Sequence, residues 1–299
     1  MILESRGQVK KLFYKDATWA FLLLLPNIAG FLVFTFFPVI ASFLLSFTSW
    51  DMLKPIEWVG LQNYYDLWKD ETFIKVLWNT IYFSAVSVPA GIFISLFLAI
   101  ALDQNIKFKK FYRAAYFLPV VSSMVAVAVV WQWIYNPEYG ILNYFLGWFG
   151  IDGPDWLTST VWAMPAVILT SVWKNLGFNM LIFLAGLQSI PESYYEAADI
   201  DGAKWHQKFR YITVPLLSPT TFFVSVMSFI GSFQVFDSVF LMTQGGPARS
   251  TSVIVYYLYE NAFKYFYMGY ASAMAYILFF MVFLITLVQF WHQKKWGVY

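Results

Sequence analysis

The stretch SIPESYYEAADIDGAKWHQKFRYITVPLLSP, residues 189–219, is a charged segment set between two long apolar runs. Ser189 followed by Glu192 has the spacing of a capping box, and Pro191 suits a first helical position, so a short helix is expected over 194–200. Gly202 is expected to end it, because glycine takes the left-handed cap conformation at little cost. A second helix over 203–213 would carry Trp205, Phe209 and Ile212 on one side and Lys204 with Lys208 on another, with Pro215 stopping it. Two short helices with an apolar stripe suit a docking surface. An amphipathic loop lying on a membrane fits the same pattern.

Working outward, the composition points to a membrane. Of 299 residues, 60% are hydrophobic, 22% aromatic and only 12% charged, which excludes a soluble domain of ordinary composition. The net charge of +2 sits in short loops and implies no nucleic-acid partner. Absence of cysteine removes disulfides and thiolate ligands, and His206 and His292 are too far apart in sequence to suggest a metal site. After a polar segment, residues 1–16, the run 17–50 is uncharged and longer than the roughly 20 residues that cross a bilayer, with Pro26 and Pro38 as expected kinks. Charge-poor runs follow at 76–102, 114–135, 159–190, 216–243 and 269–292, so the expectation is an all-α polytopic membrane protein of six spans, with 17–299 as one domain.

Lysine and arginine alternate in density between successive connections. The N-terminus, the 103–113 loop, the 189–219 segment and the C-terminus hold thirteen, against five in the segments between them. The positive-inside bias therefore expects both termini and the 189–219 segment in the cytoplasm. Aromatic residues crowd two of the opposite segments, 58–68 and 139–156, where they suit an interfacial belt or a surface for an external partner.

No catalytic cluster, nucleotide-binding glycine loop or metal motif is present. What stands out is polarity inside spans. Lys174 would cost roughly 2.5–3.5 kcal/mol at the centre of a lipid-facing helix, so it is expected to face protein or water. Ser171, Asn175 and Phe178 share a helical face beside it. In the next span Ser225, Ser228, Ser232 and Val235 share one face, with Gln234 and Asp237 on another. Such serines either glue helices together or contact a solute, and Lys174 either pairs with Asp237 or meets a ligand.

Glu196, Ala197, Ala198, Gly202, Ile212 and Pro215 resemble, in order and spacing, the EAA loop of the membrane subunits of ATP-binding cassette importers, in the form of the maltose-type sugar permeases. Val214 replaces the usual leucine, an apolar exchange. The likeness continues through WKNLGFNMLIFLAGLQSIP (173–191), TQGGPARST (243–251) and GYASAMA (269–275), and is only general in the N-terminal half. It implies the type I importer permease fold in the inner, or cytoplasmic, cell membrane. The loop, with Glu196, Ala197, Ala198, Asp201, Gly202 and Ala203 as its contact set, would seat in a cleft of an ATPase subunit and pass on that subunit's closure. The implied partners are a second permease, two ATPase subunits carrying the ATP and Mg, an extracytoplasmic solute-binding protein and membrane lipid, with no cofactor on this chain. The spans flanking the loop would line the path of a carbohydrate, through Ser171, Lys174, Asn175, Phe178, Ser228, Ser232 and Val235. Glycerol phosphate or another anionic solute is the alternative, with Lys174 as counter-charge. A secondary transporter would be expected to show internal repeats and ionisable relays, and an embedded enzyme a catalytic cluster.

Overall fold

The structure, a computed structural model, describes residues 2–104 and 106–296, with side chains for 17–104 and 106–293; the lysines and arginine of the 1–16 segment, and Lys294 and Lys295, lie outside the described side chains. The elements are helices α1 (Ile2–Phe31), α2 (Phe37–Leu45), α3 (Gln62–Lys69), α4 (Glu71–Asp103), α5 (Lys109–Val121), α6 (Met124–Ile134), α7 (Ile141–Gly147) and α8 (Ala163–Gln188), then α9 (Glu192–Ile200), α10 (Trp205–Lys208), α11 (Val214–Leu216), α12 (Ser218–Phe233), α13 (Asp237–Met242), α14 (Ile254–Tyr259) and α15 (Met268–Trp296). One two-stranded ribbon, β1 (Thr48–Ser49) with β2 (Glu57–Trp58), pairs Thr48 with Trp58 and Ser49 with Glu57.

Four stretches are long and apolar enough to cross a membrane unbroken: Ala17–Leu45, Glu71–Asp103, Ala163–Gln188 and Met268–Gln293. Two bent pairs pass the same test only when each is taken as one broken span, so the described residues give four unbroken spans and up to six in all, where six were expected. Within 114–135 the chain turns by 101° between α5 and α6. Pro119 lies in the last turn of α5, and Ser122 and Ser123 are both extended (ψ 144° and 136°), which stops the helix there. The 216–243 run also divides, because α12 ends at Phe233 and α13 starts afresh at Asp237. The Phe236 ring between them stacks on Phe240 (5.2 Å) and meets Tyr259 edge-on (5.3 Å), and this aromatic cluster overrides helical continuity.

α8 is the hub. Its buried residues enter three separate cores: Val167, Ile168 and Val172 with Phe83 of α4 and Val239 of α13; Met180, Phe183 and Leu184 with Ala99 of α4 and Val224 of α12; and Ala166 with Ala128 of α6. Half of its apolar window is buried, against none of the first span, whose α2 part rests on α15. A further core of Leu67, Phe73, Ile254 and Met274 joins α3, α4, α14 and α15. Above it, Asp70 caps α4 by accepting from the Thr72 amide (2.8 Å) and also accepts from the hydroxyls of Tyr257 (2.7 Å) and Tyr270 (2.8 Å). Burial opposes its charge, yet these donors outweigh burial and hold Asp70 below the usual carboxylate range. Burial and that same carboxylate push Tyr257 up to about 12, so it remains a neutral donor.

α8 and α5 pack backbone against backbone at Gly177, where a β-carbon would overlap the Tyr116 carbonyl. Gly177→Ala is expected to lower stability by about 1–3 kcal/mol through overpacking. Gly30→Ala, at a helix position with open space around it, should be neutral or slightly stabilising. Thermal unfolding of the purified protein in detergent separates the two.

Candidate functional site: a polar cleft joined to an exposed helix turn

A cleft of about 450 Å³ opens between α4, α8, α12 and the 234–238 turn. All seven residues expected on a solute path, Ser171, Lys174, Asn175, Phe178, Ser228, Ser232 and Val235, line it. Asn175 and Phe178 face it openly, the Asn175 amide giving one hydrogen to Ser171 O (2.9 Å). The serines are largely engaged with protein. Ser232 Oγ donates to Ser84 Oγ on α4 (2.9 Å), Ser171 Oγ to Ser238 Oγ (3.3 Å), and Ser228 Oγ accepts from Asn179 Nδ2 (3.3 Å). Ser225, expected on the same face, instead accepts from Gln289 of α15 (3.2 Å) and lies outside the cleft.

Several lining residues went unread in the sequence. Asn179 lies one turn beyond Asn175, and Ser87 comes from α4; its hydroxyl is buried without a partner. Gln234 and Asp237 were expected on another face of one long helix. Because α12 stops at Phe233, both turn into the cleft. The spacing of Asn175 and Asn179, four apart, was the available signal for the first of these.

Lys174 does not form the expected pair with Asp237. Nζ donates to the carbonyls of Pro119 (3.1 Å), Val120 (3.3 Å) and Ser122 (3.0 Å), at the break between α5 and α6. Those carbonyls end a helix that does not continue, and an ammonium both satisfies them and complements the negative end of the helix dipole. Asp237 lies near enough for its field to act on the ammonium, but the two form no ion pair.

The turn at Gly202 leaves one end of the same helices. α9 starts at Glu192 with Pro191 as its N-cap; Ser189 is not the cap, because it still closes α8, its hydroxyl donating to Gly186 O (2.7 Å). Gly202 has φ +71°, with Ala203 N donating to Ala198 O (2.8 Å) and Gly202 N to Asp199 O (3.0 Å), the double bond of a Schellman turn. Pro215 does not end the next helix. A π-helical turn, Phe209–Thr213, lets Trp205–Leu216 run through it, and the chain bends by 63° only at the following residue. Lys208 pairs with Asp199 and Tyr195 OH bonds Thr213 Oγ1 (3.0 Å), so the two arms hold each other, and within the second arm Trp205 stacks on Phe209 (5.6 Å). Of the six residues in the expected contact set, Glu196, Ala197, Asp201 and Gly202 are exposed and Ala198 and Ala203 half-buried. Beside them Ile200 is 88% and Trp205 68% exposed, an apolar edge on an otherwise charged loop.

A bundle with a polar cleft, joined by its lining helices to an exposed turn, has the layout of a transporter's membrane subunit. Residues 87–297 match the family described as "Binding-protein-dependent transport system inner membrane component", and the chain belongs to that family. It is 40% identical over 290 residues to the probable ABC transporter permease protein YesP of Bacillus subtilis, covering 95% of this chain and 93% of the relative. It is 35% identical over 302 residues to the lactose transport system permease protein LacF of Rhizobium radiobacter, covering 99% of both. A bacterial alginate ABC transporter, solved in complex with its alginate pentasaccharide-bound periplasmic protein, superposes with a TM-score of 0.82 at 26% identity, over 92% of this chain and 93% of that one.

Replacing Lys174 by methionine leaves the three carbonyls unpaired, and a loss of about 1–3 kcal/mol is expected. Lys174→Arg should retain part of it, whereas adding Asp237→Asn to Lys174→Met should restore little. A double-mutant cycle on unfolding temperature checks this; full rescue by Asp237→Asn would place the bond with Asp237.

Proposed function

We propose that this chain is one permease subunit of an ATP-driven importer that receives a sugar or oligosaccharide from an extracytoplasmic binding protein. The observation that carries the proposal is continuity: α8 and α12, which form facing walls of the cleft, are also the two helices joined through the exposed turn at Gly202. A partner that grips α9 therefore pulls on both walls at once. That partner is an ATPase subunit, with Glu196, Ala197, Ala198, Asp201, Gly202 and Ala203 in contact and Ile200 and Trp205 in its apolar seat. ATP and Mg reside there, two such subunits serving this chain and a second permease. LacF supports a carbohydrate solute, as does the alginate transporter, which also supports an external binding protein. Asn175 and the serines offer the hydrogen bonds, and Phe178 a ring face, that a pyranose uses.

The sidedness follows from the lysine and arginine bias, which sets residues 191–215 and both termini in the cytoplasm. A cysteine substituted for Lys204 should resist impermeant reagents in intact cells and react in inverted vesicles. Labelling from outside intact cells would reverse the topology.

Coupling is tested in proteoliposomes holding the complete transporter. Gly202→Val, strained by about 1–2 kcal/mol at positive φ, should uncouple solute-stimulated ATP hydrolysis from uptake or prevent assembly; Gly202→Asn, which tolerates that conformation, should keep most activity. Wild-type behaviour of the valine variant would show that the turn transmits nothing. A second reading, an anionic solute, is favoured by the alginate transporter among the similar structures.

A further inference from the structure

The cleft holds two opposite charges in different states. An ammonium has three hydrogens to donate, and all three carbonyls around Lys174 Nζ belong to the end of α5, so its donors are taken up inside the protein. Asp237 is the reverse. It is an exposed residue on the cleft wall, and among the described residues its carboxylate accepts no hydrogen bond and joins no ion pair. Of its chain neighbours, Ser238 Oγ accepts from Ser171 and donates nothing to Asp237, and Phe236 presents only a ring.

We infer that Asp237 is the solute-facing charge of this cleft, accepting hydroxyl hydrogens from an uncharged carbohydrate and turning away solutes that carry carboxylate or phosphate. The inference rests on the importer reading and narrows its solute class. An ionised carboxylate is acceptor-only, with room for several donors, and hydrogen bonds to it are stronger than those between neutral groups. Adjacent ring hydroxyls of a sugar supply two such donors side by side. Phe178, nearly half exposed in the cleft, and the free hydrogen of the Asn175 amide give the same ligand a stacking face and a donor. An anion finds the opposite setting. It would approach a carboxylate that no ion pair covers, while Lys174, the cation among the residues lining this wall, has its three hydrogens turned to the carbonyls at the end of α5. A lysine in a cleft is by itself an invitation to an anion. Here the geometry withdraws it.

The test uses the complete transporter in proteoliposomes, with its binding protein, and four probes: lactose and maltotriose as neutral solutes, trigalacturonate and glycerol 3-phosphate as anionic ones. Neutral probes should drive uptake and the anionic ones should not. Asp237→Asn should reduce neutral uptake by about tenfold or more, and Asp237→Glu should recover much of it, with complex yield and unfolding temperature followed so that a folding defect is recognised. Uptake of either anionic probe by the wild type, or unchanged neutral uptake in a folded Asp237→Asn complex, would overturn the assignment while leaving a sugar importer in place. Uptake of none of the four, with ATP hydrolysis intact, would count against the carbohydrate reading itself and take this inference with it.

Discussion

A break in a membrane-spanning helix exposes carbonyls where no water can reach them, so the protein has to bring its own donors to the break. Here the donor is Lys174, and much of the architecture follows from that bond. The 101° turn after α5 redirects the chain into α6, whose first residue, Met124, lies on the cleft wall. Gly177 lies three residues after Lys174 on the same face of α8 and lets the Tyr116 carbonyl of α5 come into contact. One side chain of α8 is absent so that α5 fits closely; another is long and charged so that α5 ends correctly. A buried cation without such acceptors would be strongly unfavourable, and the carbonyls without a cation nearly as much.

Two prolines show the same economy of backbone bonds. Pro38 and Pro215 each stand two residues after a five-residue π-helical turn, Leu32–Phe36 and Phe209–Thr213. Proline lacks an amide hydrogen and its ring crowds the carbonyl four residues back; the wider turn relocates that carbonyl, with Phe37 N bonding Leu32 O and Val214 N bonding Phe209 O. The helix therefore survives. From Trp205 to Leu216 the loop's second arm is one continuous rod, entering α12 through a single bend of 63°. That rod connects the Gly202 turn to the helix that forms one wall of the cleft.

Features carried by local chemistry were legible in the sequence, and features set by tertiary partners were not. Gly202 could be read because few other residues take φ +71° at a helix end, and the apolar runs because their length exceeds any soluble need. The interruption at Ser122 was not, since serines and a proline are tolerated within spanning helices, and nothing local distinguishes a kink from a full break. Lys174 illustrates the limit clearly. Its burial followed from the cost of charge in lipid, but its true acceptors, backbone carbonyls more than fifty positions away, carry no side-chain signature. Gln234 and Asp237 were turned by the rings of Phe236, Phe240 and Tyr259, an arrangement no helical wheel contains. The capping role given to Ser189 failed because Pro191 already presets the backbone that a cap residue would otherwise have to hold.

Burial runs in an order that explains why the polar residues gathered where they did. Half of the apolar window of α8 is buried in the chain, a third of α4, 17% of α15 and none of the first span. A polar side chain in a membrane is tolerated in proportion to how far its helix is withdrawn from lipid, so the innermost helix is the one free to carry Ser171, Lys174, Asn175 and Asn179. The first span has no such freedom, and between Ala17 and Leu45 it holds no charged residue. The hydrophobic gradient that seats the bundle thus also leaves α8 free to line the polar cleft. α8 is followed after three residues by α9, so the helix that carries Lys174, Asn175 and Asn179 is also one of the two that meet at the exposed turn.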